Sequence, residues 1–209
     1  MNKEKEIIKL NFDSNNCVIL DEEYNKLSER CDEIDVKKQN SLMRETILAL
    51  KDTMKENNLL YLCSNQIGYD KRIFVIKFGE EYKTFINPII TKADNLTIEY
   101  ETCVSIPGKT YIRPRHTGIH VTYQTPLGKI ESRQLIGKAA TLFQHCIDHL
   151  NGLLITDVGM EIDKDFINAT DEEKQEILKM YMESLDMKRK EVNDIIKEDE
   201  KLTKMHDAI

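Results

Sequence analysis

The sequence predicts a protein of the α+β class, and two observations support this. Two segments carry apolar residues at spacings of three and four, which is typical of an amphipathic helix. Several short segments between them are rich in β-branched and aromatic residues, as strands are. With 209 residues, 40% of them hydrophobic and 32% charged, the chain can form one globular domain with an appendage.

The helices and strands are predicted in the following order. Residues 40–57 form the first helix, because Leu42, Met43, Ile47, Leu50 and Met54 recur at helical spacing. Four strands follow, over residues 72–78, 84–90, 96–101 and 118–123. The second is expected to be interrupted at Pro88, because proline lacks the N–H that a strand uses to pair with its neighbour.

A second helix is predicted over residues 135–151, after a turn at residues 125–128, and Gly152 closes it. After a capping box at residues 170–173, a charged helix is expected to run to about Lys204. We therefore expect a domain over residues 1–165 and a charged helical extension over residues 166–209. This extension is interpreted as a solvated helix, and docking on a ribosome or another protein stays open as an alternative.

Charge and cysteine content exclude some classes of protein. The net charge of −7 argues against a long electropositive surface for nucleic acid. No segment approaches the roughly 20 apolar residues that cross a bilayer, so no membrane association is expected. Five cysteines, an odd number without the spacing of a small disulfide scaffold, favour a reducing cytoplasm.

The second predicted helix carries a pair of metal-binding side chains. His145 and His149 are four residues apart and therefore lie on one face of the helix. Cys103 is the best third ligand, since two histidines and one thiolate with a fourth position open are typical of a catalytic site. Taken alone, such a pair is more often unrelated to a metal, and Cys103 is more often a core residue. Cys146 stands where hydrolases with an H-E-x-x-H motif have their general base.

Three ordered segments resemble the motifs of the peptide deformylase family. Residues 59–68, LLYLCSNQIG, are similar to the family's G-φ-G-φ-A-A-N-Q-I-G, where φ is apolar. Residues 101–108, ETCVSIPG, are similar to E-G-C-L-S-φ-P-G, and residues 144–152, QHCIDHLNG, to Q-H-E-φ-D-H-L-x-G. The resemblance covers residues 20–158.

This resemblance implies a fold, a cofactor and a reaction. The fold would have mixed, mainly antiparallel sheets around a central HxxxH metal-binding helix, with a long C-terminal helix added here. Cys103, His145 and His149 would hold one divalent ion, Fe(II) in vivo, with zinc or nickel as alternatives. The reaction would be hydrolysis of the formyl group from N-formylmethionyl peptides or nascent chains.

The resemblance also assigns roles to residues around the ion. Gln66 and the backbone N–H of Val104 would donate hydrogen bonds to the developing oxyanion. Asp148 would face away from the ion and anchor the helix against Arg115. Leu60, Tyr61, Thr102 and Leu142 would contact the substrate.

Several departures from the motifs bear on activity. Cys146 replaces the glutamate that carries the proton during catalysis. Three roles for Cys146 are open: its thiolate acts as the base, a water molecule relays the proton, or the residue only fills space in a decayed site. Leu59, Tyr61 and Thr102 replace glycines that let backbone and substrate approach closely. Three alternatives for the function therefore stay open: a deformylase with weak or altered activity, an amidase for another acyl group, and a catalytically silent metal- or peptide-binding protein.

Overall fold

An antiparallel sheet is the central feature of the structure, a computed structural model that describes residues 25–186. Five strands are neighbours in chain order, each pair antiparallel, and the sixth pairs with β4. The strands are β1 (Tyr61–Cys63), β2 (Ile73–Phe78), β3 (Glu81–Cys103), β4 (Ile106–Gln124), β5 (Ile130–Ile136) and β6 (Met160–Ile162). With the helices packed on this sheet, the α+β prediction is confirmed.

The two faces of the sheet contribute to two separate cores, because successive side chains of a strand point to opposite faces. In β2, Ile73 and Val75 pack in the same core as the buried face of α1 (Asn40–Glu56). Phe74 and Ile76 pack in the other core, with the buried face of α2 (Lys138–Leu150). The sheet therefore fixes α2, the helix of the two histidines, against one of its faces.

Two long strands replace the separate short ones that the sequence predicts. β3 continues through Pro88. A shift in the pairing register between Ile86 and Ile89 accommodates this proline, which has no N–H to donate. Asn87 has a positive φ of 47° there, and its side chain bonds both the N–H and the carbonyl of Ile34, at 3.0 and 2.9 Å. The expected interruption is a bulge, which also fastens a preceding loop to the sheet.

The start of the second helix differs from its prediction. Leu135 and Ile136 belong to β5, which the sequence did not indicate, and α2 begins at Lys138. Gly137 separates the two elements with a φ of +57°, a conformation that favours glycine. At the other end, Gly152 has a φ of +74°, and a Cβ there would lie 2.6 Å from the carbonyl oxygen of Ser28.

Over the described residues 25–186, the chain divides into two compact units, with the boundary between Glu161 and Ile162. The first contains α1, α2, the short helix α3 (Ile155–Val158) and the strands through β5. The second begins at Ile162, the last residue of β6, and contains α4 (Lys164–Asn168) and a helix over residues 171–186. The predicted capping box is present, since the Glu173 carboxylate accepts from the N–H of Thr170 at 2.8 Å.

The continuation of that helix to Lys204 lies outside the described residues, as does Cys17. Within residues 25–186, no helix has the length and apolar character to cross a membrane.

Candidate metal centre

Three buried side chains converge where the end of β3 meets α2. Cys103 is the last residue of β3, and His145 and His149 lie one turn apart on α2. The Sγ atom of Cys103 is 3.2 Å from Nε2 of His149, which is itself 3.2 Å from Nε2 of His145. All three side chains are at most 4% exposed. The structure thus brings together the three ligands predicted from the sequence.

The spacing of these atoms fits a metal ion. A tetrahedral ion with bonds of 2.0–2.3 Å to nitrogen and sulfur would hold its ligand atoms roughly 3.3–3.6 Å apart. The observed separations of 3.2 Å are close to that range. Imidazole and thiolate together suit zinc and iron, and three protein ligands leave a fourth position for a water or substrate.

A carboxylate behind His145 fixes the orientation of its ring. Glu101 lies two residues before Cys103 on β3, so both side chains point to the same side of the strand. Its Oε2 atom is 2.7 Å from Nδ1 of His145, which leaves Nε2 directed at the ligand cluster. Arg115 on β4 binds the same carboxylate in a bidentate pair, with Nη2 2.8 Å from Oε2.

The ion-pair network continues to the outer side of α2. Arg115 also donates from Nη1 to Oδ2 of Asp148 at 2.6 Å, and Arg113 pairs with the same oxygen. Arg115 is only 3% exposed and Asp148 14%, so the network is largely shielded from water. It connects β3, β4 and α2 directly behind His145.

Electrostatics pair a thiolate at Cys103 with a protonated His145. Burial alone would lower the pKa of His145, but hydrogen bonds with Cys103 and Glu101 raise it to about 10, so an incoming ion would have to displace that proton. Burial alone would raise the pKa of the Cys103 thiol, but hydrogen bonds with His145 and His149 hold that pKa well below its usual range. Burial would likewise raise the pKa of Glu101, but hydrogen bonds from Arg115 and His145 lower it to about 2. A thiolate is the form of cysteine that binds a metal.

The first motif contacts the centre through a short 3₁₀ turn, Ser64–Ile67. Gln66 accepts a hydrogen bond from the N–H of Cys63 at 2.9 Å and donates from Nε2 to Oγ of Ser105 at 2.9 Å. Asn65 donates to the carbonyl oxygen of His149 at 2.7 Å, which fastens the turn to α2. The Gln66 amide is therefore held beside the hairpin turn in which Val104 follows Cys103.

Cys146 and Tyr61 differ in their relation to the ligand cluster. Cys146 is completely buried in the core beneath α2, where its carbonyl oxygen lies 3.8 Å from Sγ of Cys63. The Tyr61 side chain is 7% exposed, and its hydroxyl lies 3.1 Å from Nε2 of His145. Thus the Tyr61 phenol contacts a ligand atom, while the Cys146 side chain packs in the core.

The other residues expected to contact substrate have mixed surroundings. Leu60 is 61% exposed, and Thr102 is exposed as well. Leu142 is half-buried and packs against the core that contains Cys146.

Sequence reasoning overlooked the role of Glu101. A signal for it was present, because a strand extended to Cys103 would place Glu101 on the same face as the cysteine. The direction of the Tyr61 side chain had no such signal, since it depends on the packing of β1 against α2.

Comparisons with known proteins agree with this geometry. The sequence model of the polypeptide deformylase family matches residues 17–165. A peptide deformylase of Dictyoglomus turgidum is 34% identical over 134 residues, which cover 64% of this chain and 84% of that protein. One from Thermotoga maritima is 36% identical over 123 residues, 58% of this chain and 75% of that one.

Solved structures resemble the chain to a similar extent. The crystal structure of the Thermotoga maritima peptide deformylase aligns with a TM-score of 0.60 and 33% identity, covering 64% of this chain and 90% of that one. The deformylase of the Vibrio parahaemolyticus bacteriophage VP16T, in complex with actinonin, aligns with a TM-score of 0.58 and 29% identity, covering 62% and 93%.

Proposed function

The chain belongs to the peptide deformylase family, and from this premise we propose that it hydrolyses the formyl group of N-formylmethionyl peptides. The observation that carries the proposal is the cluster of Cys103, His145 and His149, whose donor atoms and spacing fit one divalent ion. When bound, such an ion polarises a carbonyl group and lowers the pKa of a water molecule. We assign the native ion as Fe(II), with zinc or nickel as functional substitutes.

Two groups of the chain are suited to stabilise the oxyanion that forms from the formyl oxygen. Gln66 uses its Oε1 atom and one N–H in the contacts with Cys63 and Ser105, which leaves its second N–H for the substrate. The backbone N–H of Val104, next to the ligand Cys103, is proposed as the second donor. Loss of one such donor typically costs about 10²–10³-fold in kcat.

The charged network behind the centre is proposed to hold the ligands in place. Glu101 fixes the ring of His145, and Arg115 fixes Glu101 while it also anchors α2 through Asp148. Outer contacts of this kind orient ligands and raise metal affinity.

The proposed substrates are formylated peptides and nascent chains in the cytoplasm. Leu60, Tyr61, Thr102 and Leu142 are proposed to contact the substrate, with Leu142 facing the pocket for its methionine side chain. The extension over residues 166–209 is proposed as an appendage to the deformylase domain of residues 1–165, with docking on a ribosome as one use.

A second candidate function is a metal- or peptide-binding protein without turnover. Complete burial of Cys146 in an apolar core favours this alternative, since a group enclosed there is poorly placed to exchange protons with a substrate. General acid–base assistance is typically worth about 10²–10⁴-fold, so its loss would leave slow turnover. An amidase for another N-acyl group is the third candidate.

The test is an assay with formyl-Met-Ala-Ser and acetyl-Met-Ala-Ser, using protein purified without oxygen and with its metal content measured. We expect deformylation above the rate of the free metal ion, and loss of both metal and activity in Cys103→Ser. Cys31→Ser is the matched control, because Cys31 is equally buried but lies outside the ligand cluster.

The other results separate the three candidates. A protein that binds metal and formyl-peptide without turnover is the silent binder. Hydrolysis of the acetyl peptide in preference to the formyl peptide would indicate the other amidase. Wild-type protein that binds no metal under these conditions would refute the proposal.

A further inference from the structure

The Tyr61 side chain reaches into the metal centre from β1. Its ring meets that of His145 edge to face, with centroids 5.1 Å apart. Its hydroxyl lies 3.1 Å from Nε2 of His145 and 3.2 Å from the carbonyl oxygen of Thr102. The phenol therefore stands between the second motif and the helix that carries both histidines.

An ion in the centre would change the hydrogen bonding of this hydroxyl. The Nδ1 atom of His145 is bonded to Glu101, and its Nε2 atom is one of the three converging ligand atoms. When Nε2 gives its lone pair to an ion, it can no longer accept from Tyr61. The contact with Thr102 remains, but at 3.2 Å it is longer than the 2.5–3.0 Å usual for a hydroxyl donor.

Apart from the second N–H of Gln66, the polar groups of the side chains next to Tyr61 are already committed elsewhere. Glu101 is bonded to Arg115 and His145, and the Gln66 amide is held by Cys63 and Ser105. Cys146 is enclosed in the core. The Tyr61 hydroxyl can therefore donate to an oxygen atom bound at the centre, if that oxygen lies closer than the carbonyl oxygen of Thr102.

We propose that Tyr61 is a further catalytic residue. Its neutral hydroxyl donates a hydrogen bond to the carbonyl oxygen of a substrate, or to the carboxylate oxygen of a product, that is bound beside Cys103, His145 and His149. This inference rests on the proposed function, which supplies the acyl substrate and the formate product. No proton is transferred in this role, so it needs only the hydroxyl and its direction.

The test uses full-length protein loaded with Co(II) and titrated with formate, followed by the visible absorption of the cobalt. Tyr61→Phe removes the hydroxyl and keeps the ring. We expect an unchanged cobalt content and a formate affinity lower by roughly 10- to 100-fold, the effect of losing a hydrogen bond to a charged group. Tyr123→Phe is the matched control, because that buried tyrosine donates to Glu131 outside the centre and should not change formate affinity.

Equal affinity of wild type and Tyr61→Phe would overturn the inference, because the hydroxyl would then not reach the ligand. Tighter binding by Tyr61→Phe would also overturn it, and would identify Tyr61 as a group that covers the centre. Wild-type protein that binds no cobalt refutes both this inference and the proposed function. Protein that binds cobalt and formate in a Tyr61-dependent way, yet does not deformylate, refutes the proposed function alone.

Discussion

Four charged side chains behind the centre balance one another. Glu101 and Asp148 supply two negative charges, and Arg113 and Arg115 supply two positive ones. Each is less than a fifth exposed, so their mutual attraction is weakly screened by salt. Removing one member would leave a buried charge without a partner, which costs more than the intact pair contributes.

The Glu101→Gln variant tests this network. We expect a loss of about 3–5 kcal/mol in the free energy of unfolding, because Arg115 would lose its bidentate partner. Metal affinity should fall roughly 10- to 100-fold, because His145 would lose its orienting carboxylate. Urea unfolding and competition with a chelator measure the two effects.

Glu99→Gln is the matched control on the same strand. Glu99 pairs with Lys138, whose side chain is 74% exposed, so the change should cost less than about 1 kcal/mol and leave metal affinity intact. An equal effect of both variants would contradict a special role of Glu101.

Cys146 and Tyr61 should be coupled, because both pack in the same core. Cys146→Glu alone should destabilise the fold by about 3–5 kcal/mol, since the carboxylate would be buried without a partner. Tyr61→Gly removes a large side chain from the same core. The loss of stability in the double variant should therefore be smaller than the sum of the two single losses, by about 0.5–3 kcal/mol. Urea unfolding of the four proteins checks this, and strict additivity would contradict it.

At the scale of elements, the C-terminal end of α2 is held by a close approach of two backbones. Gly152→Ala should cost roughly 2–5 kcal/mol, because the residue has a positive φ and its Cβ would overlap the backbone of Ser28. In Gly128→Ala the φ is similar, but the nearest atom is a Val36 methyl at 3.7 Å, so only roughly 1–2 kcal/mol is expected. Thermal unfolding measures both, and equal losses would contradict the overlap.

The elements show which features a sequence can predict. The first helix was predicted because its apolar residues recur at helical spacing, and α2 was predicted from the histidine pair four residues apart and the Gly152 that closes it. Both helices pack on the sheet through their buried faces. The full length of β3 was not predicted, because its middle is exposed on both faces and lacks alternation. Leu135 and Ile136 were assigned to the helix, since a short apolar run does not distinguish a strand from a helix.

The site was predictable to the extent that motifs and spacing encode it. The three ligand residues follow from the pair on α2 and the cysteine in a motif. The spacing of Glu101 to Cys103 indicates that both lie on one face of β3, but the pairing of Glu101 with His145 and the contact of Tyr61 depend on how β1, β3 and α2 pack.

At the scale of the whole molecule, the ligand cluster lies entirely within the first unit. A variant ending at residue 169 should therefore still bind one ion per chain, with an unchanged affinity. Metal analysis and chelator competition test this prediction, with His149→Ala in the same truncated chain as the negative control. Loss of the ion on truncation would show that the second unit supports the centre.

Metal removal should destabilise the fold, because only the folded chain brings the ligands together. With free zinc at about 1,000 times its dissociation constant, the free energy of unfolding should exceed that in a chelator by about 4 kcal/mol. His149→Ala should show no such difference. A wild-type protein equally stable in both conditions would contradict the coupling of ion binding to folding.

The order of these ligands along the chain has a consequence for biosynthesis. Cys103 ends a strand in the middle of the chain, while both histidines lie on a helix that is translated later. The five consecutive strands of the sheet are thus translated before the growing polypeptide has all three ligands. Because α2 must first leave the ribosome and pack against that sheet, metallation becomes a late event in the maturation of the newly made chain.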